Sequence, residues 1–327
     1  MGISARHLVF NLMVLLGCLV SAGAGLFSVS GNCFAAETEG YQQFFDSGYV
    51  DWLKGKVVAR GNATVSRNIE NGTSYAVARR SALMKARGNL LHILKKVRID
   101  SNALVQDILM QKPEAEKRTR GLVHNSPILD ERLKDNAIEV IVELSLRGKL
   151  SRVLIPQGAW YEKIAYDAGP DLNAREKELQ DISSQEDSSL NSTKEMSSSR
   201  LSRLTGLIVD ARGVDTAPSL LCRLFNEKGR QIYDPQMVKQ ERAYISGMAG
   251  YAQDMNSALQ SKRVGNNPLV VRAVGTLDVK ASQLVISNEE SRLVNQMKRQ
   301  GDHLQMCWVI FVLGPSDKSE LVEFPLY

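Results

Sequence analysis

Histidine and cysteine are scarce in this chain, with four of each among 327 residues, and that scarcity removes whole classes of chemistry. Zinc requires three or four converging nitrogen or sulfur ligands. His7 lies at the extreme N-terminus, His92, His124 and His303 are far apart in sequence, and no CxxC pair exists. Cys18 and Cys33 fall within the first 35 residues, which leaves Cys222 and Cys307 for the rest of the chain. These two permit one disulfide in an oxidising compartment if their Cα atoms come within about 7 Å. Two buried strand cysteines are the alternative. Also missing are GxSxG, HExxH and a Walker loop, each of which carries a defined chemistry. Gly247-Met248-Ala249-Gly250 lacks the third glycine and the preceding strand of a nucleotide loop, so it reads as a flexible loop. The sequence therefore points to a protein without a catalytic centre, cofactor or metal.

What is present at the start is an export signal. Arg6 and His7 precede residues 8–29, which carry no charged side chain. A basic start with its positive end inside, an apolar stretch and a small-residue site make up such a leader. Cleavage after Ala35, with Cys33 and Ala35 as the small residues, gives a leader of 1–35. Leu15-Leu16-Gly17-Cys18 offers a second processing route, since it resembles a lipobox with Cys18 as the lipidated residue. A third outcome is retention, because roughly 20 apolar residues span a bilayer. The expected location is the periplasm or outer membrane, or the inner membrane if the leader stays.

The remaining length suits two domains, since soluble domains run to roughly 100 to 200 residues each. Between residues 171 and 203 the composition shifts to Ser, Glu, Asp, Asn and Lys, too polar to offset the entropy of ordering. This predicts a first domain over 41–166, a disordered linker over 167–203 and a second domain over 204–327. In the first, residues 41–51 read as a polar lead-in. Val57, Ala59, Gly61, Ala63 and Val65 alternate as one face of a strand. Ala78, Ala82, Ala86, Leu90 and Leu94 recur every four residues, reinforced by Tyr75, Leu83 and Ile93, as the apolar stripe of a helix over 73–97. A short helix over 98–111 is expected next, then strands over 117–128 and 137–146 with 130–136 as the hairpin tip. In the second domain the predicted strands are 204–212, 220–225, 230–233, 269–274, 284–286 and 305–313. Short helices are expected at 254–262 and from Ser287 to about 299, the latter opened by a capping box with Glu290.

Residues 41–166 hold about 21 Lys and Arg against about 13 Asp and Glu, so the first domain is basic. Arg79, Arg80, Lys95, Lys96 and Arg98 are the candidate contacts for an anion or partner, such as lipid head groups or wall polymers. A solvated helix face is the alternative. An export signal argues against nucleic acid as the partner. Asp210-Ala211-Arg212-Gly213 at a strand end reads as a ligand contact or a turn-stabilising pair. Glu289 and Glu290 suit a helix start without any chemistry.

Trp52, then Gly55, Ala59 and Gly61 on a strand, then Ala78-Arg79, Ala82 and Ala86 on a helix form a recognisable pattern. By it, residues 52–156 resemble the LPP-twenty-like bacterial lipoproteins and the N-terminal domain of the flagellar assembly protein FlgT. The second half, with Thr205 to Gly213 and Asn226 to Pro235, looks like a domain that accompanies this module in envelope proteins. The resemblance implies a non-enzymatic envelope role, often at the outer membrane and sometimes in flagellar assembly. Protein partners in the envelope or flagellum, or an anionic lipid or wall polymer, follow as expectations. The predicted class is α+β, with two small domains, each an antiparallel or mixed sheet packed by one main helix.

Overall fold

Alternating apolar residues need a sheet with one covered face, and the first half of the chain builds one. The structure, a computed structural model, describes residues 40–66, 71–155, 204–277 and 282–315. Strands β1 (Gln42–Phe45), β2 (Gly48–Asp51), β3 (Lys56–Thr64), β4 (Ile128–Lys134) and β5 (Ala137–Ser145) form an antiparallel sheet in the order β1-β2-β3-β5-β4. Helix α1 (Asn71–Lys95) covers the face carrying Val57, Ala59, Ala63, Ile138, Val140 and Val142, all buried. Its stripe of Ala78, Ala82, Ala86, Leu90 and Leu94 is buried as expected, although Tyr75 is exposed.

The small residues set how close the helix lies. A Cβ on Gly61 would collide with the backbone of Ala82 and Ala86, so helix and strand meet main chain to main chain. Strand β2 stops opposite Ala59. Beyond it, the side chains of Asn89 and Lys85 on α1 donate to the carbonyls of Arg60 (2.8 Å) and Asn62 (3.0 Å) on β3. The sheet's other face carries Lys56–Glu143 (3.0 Å) and Arg60–Glu139 (3.9 Å), opposite charges on directly paired strands.

Several predicted elements need correction. Residues 41–51 form the β1–β2 hairpin rather than a lead-in, and the aromatic spacing that read as punctuation pairs Phe44 with Tyr49 at 6.0 Å. Residues 117–128 do not form a strand. Pro113 at the first helical position, Glu114 and Glu116 in the first turn, and the i,i+4 pairs Glu114–Arg118 and Glu116–Arg120 make helix α3 (Pro113–His124). Helix α2 (Val105–Gln111) starts later than residue 98, because the Asp100 carboxylate accepts the N–H groups of Asn102 and Ala103 and holds a turn there. The hairpin tip is only Asp135-Asn136, both at positive φ (47° and 64°), so residues 130–134 belong to β4. These angles are those of a two-residue type I′ turn. Helix α4 (Lys149–Leu154) closes this half.

The second half is a seven-stranded mixed sheet. Strands β6 (Leu207–Asp210), β7 (Arg223–Asn226), β8 (Gln231–Tyr233), β9 (Gly250–Ala252), β10 (Leu269–Thr276), β11 (Gln283–Ile286) and β12 (Val309–Val312) run in the order β8-β7-β11-β10-β6-β12-β9. Central β6 lies between parallel β10 and β12, which explains its fully buried Leu207-Ile208-Val209. Gly229 at φ 75° closes the expected β7–β8 hairpin. Helices α5 (Gln240–Ser246) and α6 (Met255–Leu259) flank β9, and α7 (Asn288–Gln300) buries Val294 and Met297. Ser287 caps α7 by accepting the N–H of Glu290 (3.1 Å), while the Glu290 carboxylate accepts the N–H of Arg272 on β10 (2.8 Å).

Helix α5 and strand β9 went unanticipated, and residues 248–250 are buried and lead into β9 rather than forming a flexible loop. The long strand expected over 305–313 is only β12, because Cys307 takes φ 61° and turns the chain just before it. The fold is α+β with two domains, each a sheet with one main helix, and the buried side chains of both join in one core. Among the described residues, no helix is long and apolar enough to cross a membrane. The leader 1–35, with Cys18, and the linker 167–203 lie outside the described residues.

Candidate functional site

The two sheets meet along a seam, and the residues that make it are the first group with unusual electrostatics. Trp52, buried, donates its indole N–H to Gln43 (3.2 Å) and sets its edge against the Tyr251 ring at 5.5 Å. Tyr251 stacks on Phe311 at 5.7 Å and donates its hydroxyl to the Ser219 carbonyl (2.8 Å). Backbone joins the halves as well. The N–H groups of Tyr41, Leu220, Leu221 and Gly148 donate to the carbonyls of Tyr251, Arg98, Ile99 and Tyr244 at 2.7–3.0 Å. Tyr244 in turn donates to the Ile155 carbonyl at 2.9 Å.

Two arginines face each other across this seam. Arg263 donates to the carbonyls of Ser246, Gly247 (3.1 Å) and Cys307 (2.7 Å). Two of these lie at the C-terminal end of α5, where the helix dipole favours a cation. Arg147, at the end of β5, donates to the Leu53 carbonyl (2.6 Å). Burial pushes the Arg147 guanidinium down to about 10, the charge of Arg263 adds to this, and Asp51 opposes it. Burial lowers Arg263 as well, and raises the Asp51 carboxyl. Arg263 holds three backbone carbonyls and Arg147 one, so the pair serves as a fastening between the two halves.

Cys222 and Cys307 sit in the same region as free, buried thiols. They flank strands β7 and β12 rather than lying within them. Burial pushes Cys222 up to about 12 and raises Cys307 in the same direction, so both are poor nucleophiles. Among the described residues, no group of three or more His, Cys, Asp or Glu side chains is placed to hold a metal ion.

The group best placed to meet a ligand lies on the second domain. A cleft of about 450 Å³ opens between the segment 236–239 and the end of α7, lined by Gln236, Met237, Lys239, Lys298, Leu304 and Gln305 among others. The Lys298 ammonium is 3.4 Å from the Ile232 carbonyl and 3.3 Å from the Met237 sulfur. A thioether is a weak acceptor, so the ammonium keeps donor capacity. Burial lowers its basicity, with Asp234 opposing and Arg230 assisting. Lys239 pairs with Asp302 at 2.9 Å on the exposed rim. Two amines at one cleft can receive a carboxylate, phosphate or sulfate group.

The candidate contacts of the first domain do not form one patch. Arg79 is held by Glu131 (2.9 Å), and Arg80 is exposed beside it in sequence. Lys95 and Lys96 lie at the other end of α1, about 24 Å away at 1.5 Å per residue. Lys96 sits over the Phe45 ring at 5.7 Å. The backbone of Arg98 is engaged by Leu220 across the seam. Asp210 and Arg212 form a two-bond pair at 2.7 and 2.8 Å, the turn-stabilising arrangement, which lowers the Asp210 carboxyl. Lys298 and Arg263 were missed in the sequence. A lysine in a helix's last turn reads as a dipole partner, and the three carbonyls around Arg263 come from distant segments.

Fold and site together define a two-domain α+β protein with a seam-locked core and an amine-lined cleft. Residues 206–317, about a third of the chain, match the family described as Treponema pallidum Tp0624, second domain. The matched span contains the whole seven-stranded sheet and the cleft, and it lies outside residues 52–156. No curated protein matches the chain.

Proposed function

We propose that this is a non-catalytic exported cell-envelope protein that acts as a scaffold or assembly factor in the periplasm or at the outer membrane. The observation that carries the reading is the seam. Trp52, Tyr251 and the two arginines fasten a basic domain to a second domain, so that one body presents two separate surfaces in a fixed relation. Such an arrangement suits a protein that holds two partners, in the envelope or the flagellum, rather than one that turns over a substrate. The leader read from residues 1–35 supplies the compartment. Cross-linking in intact cells followed by fractionation tests this: the protein should be recovered in the envelope fraction bound to other envelope proteins. Recovery from the cytosol with Met1 attached, or with no cross-linked partner, refutes it.

A second reading is binding of an anionic envelope polymer or lipid, and the half-buried Lys298 in its cleft favours it. Salt separates the two, since charge-driven binding weakens steeply as ionic strength rises while apolar docking changes little. Lys298→Met should abolish retention on an anionic polymer matrix at low salt. Unchanged retention removes this reading and leaves the scaffold reading standing.

A further inference from the structure

We infer that strand β4 is a self-complementary edge through which two copies of this chain pair antiparallel about a two-fold axis at Glu131. Among the described residues β4 pairs only with β5. Lys134 and Ala137 flank the two-residue turn, so they form a hydrogen-bonded pair, and alternation directs the N–H and C=O of Glu131 and Leu133 away from β5. The outward edge therefore carries backbone donors and acceptors in register for another strand.

The occupant follows from the order of side chains. A two-fold axis at Glu131 sets Asp130 opposite Arg132 of the second copy, and Leu129 opposite its Leu133. Leu129 and Leu133 are 50% and 61% exposed, although Leu133 lies on the face that α1 packs against. A second copy would cover them. The like charges at the axis are already neutralised, because Glu131 accepts from Arg79 (2.9 Å) and from the Tyr75 hydroxyl (3.0 Å) within each copy. Asp130 and Arg132 pair within one strand at 2.5 Å, and across the axis the two pairs would join as a ring of four alternating charges. An acidic or a basic partner strand would satisfy only one of these two residues. The irregularity between Ile128 and Asp130 falls at Leu129, bends the strand there and limits the regular ladder to about three residues centred on Glu131. The contact alone falls below the roughly 1,200 Å² of a stable interface, so the dimer is weak and concentration-dependent.

The test is sedimentation equilibrium of the full-length chain over a wide concentration range. The wild type should show reversible dimerisation. Asp130→Arg and Arg132→Asp should each abolish it, and the double swap should restore it, since the swapped edge is again self-complementary. Circular dichroism confirms that each variant is folded. A second measurement fixes the register: with Cys18 and Cys33 replaced by serine, Glu131→Cys should cross-link to a dimer on oxidation. Leu133→Cys should not, because its two copies would stand about 13 Å apart. A wild type that stays monomeric, swaps that leave the mass unchanged, or equal cross-linking at both positions overturns the inference. Failure here leaves the scaffold reading untouched, because that rests on the seam.

Discussion

Replacing glycine by alanine at Gly61 and at Gly88 should move stability in opposite directions. At Gly61 the new Cβ meets the Ala82 carbonyl oxygen and the Ala86 nitrogen, with the Ala86 Cα at 2.8 Å. These are backbone atoms, so no rotamer change relieves the clash, and α1 must lift from β3. Overpacking of this kind costs about 1 to 3 kcal/mol. At Gly88, on the exposed side of α1, the added methyl meets nothing within 4 Å. There alanine removes a helix-interior glycine, which stabilises by roughly 0.5 to 1 kcal/mol. At about 2 to 4 °C per kcal/mol for a chain of this size, Gly61→Ala should lower the melting temperature by about 2 to 12 °C, and Gly88→Ala should raise it by about 1 to 4 °C. Urea denaturation followed by circular dichroism gives both free energies. Shifts of the same sign, or a Gly61→Ala effect within 0.5 kcal/mol of zero, would refute the claim that helix and strand touch backbone to backbone.

Other outcomes can be checked on the same protein. Arg263→Met removes the donor from the carbonyls of Ser246, Gly247 and Cys307, of which Cys307 is buried, so unfolding by urea should show a loss of about 1 to 3 kcal/mol. The Asp210 carboxyl is held below its ordinary 3.8 chiefly by the Arg212 guanidinium. Its contribution to stability is complete above that value and is lost as pH falls through the folded-state value. Arg212→Ala should flatten that acid limb, and carbon-detected titration of Asp210 should show its midpoint moving upward. Cys222 and Cys307 should resist iodoacetamide in the native state, because both are buried and both thiols are raised. Mass spectrometry showing rapid native labelling would contradict the buried cluster.

The elements legible in the sequence were those governed by local periodicity. The α1 stripe, β3, β5, β6 and the β7–β8 hairpin follow from spacings of four or two and from Gly229, and all are present. Helix α3 was hidden because its signals are polar: a proline start and ion pairs rather than an apolar stripe. Strand β9 is three residues long and is held as a strand by β12, almost sixty positions further on. The shortened β12 depends on one residue, Cys307, in a backbone conformation that no pattern announces. The seam was invisible for the same reason as the site. Trp52 drew notice as part of a motif, but its contact with Tyr251 lies across two sheets, and the carbonyls that hold Arg263 converge only after folding. The basic residues of α1 illustrate the converse, since a run of cations in sequence is dispersed by a helix some 24 Å long between its members.

The seam is tested most directly by differential scanning calorimetry of the purified protein, with the van't Hoff and calorimetric enthalpies compared. A core shared by both sheets should melt in one transition with the two enthalpies equal. In Trp52→Ala that transition should move to lower temperature or split. Two independent transitions in the wild type, with Trp52→Ala shifting only the one that belongs to the first sheet, would contradict a single fastened body and with it the two-surface scaffold.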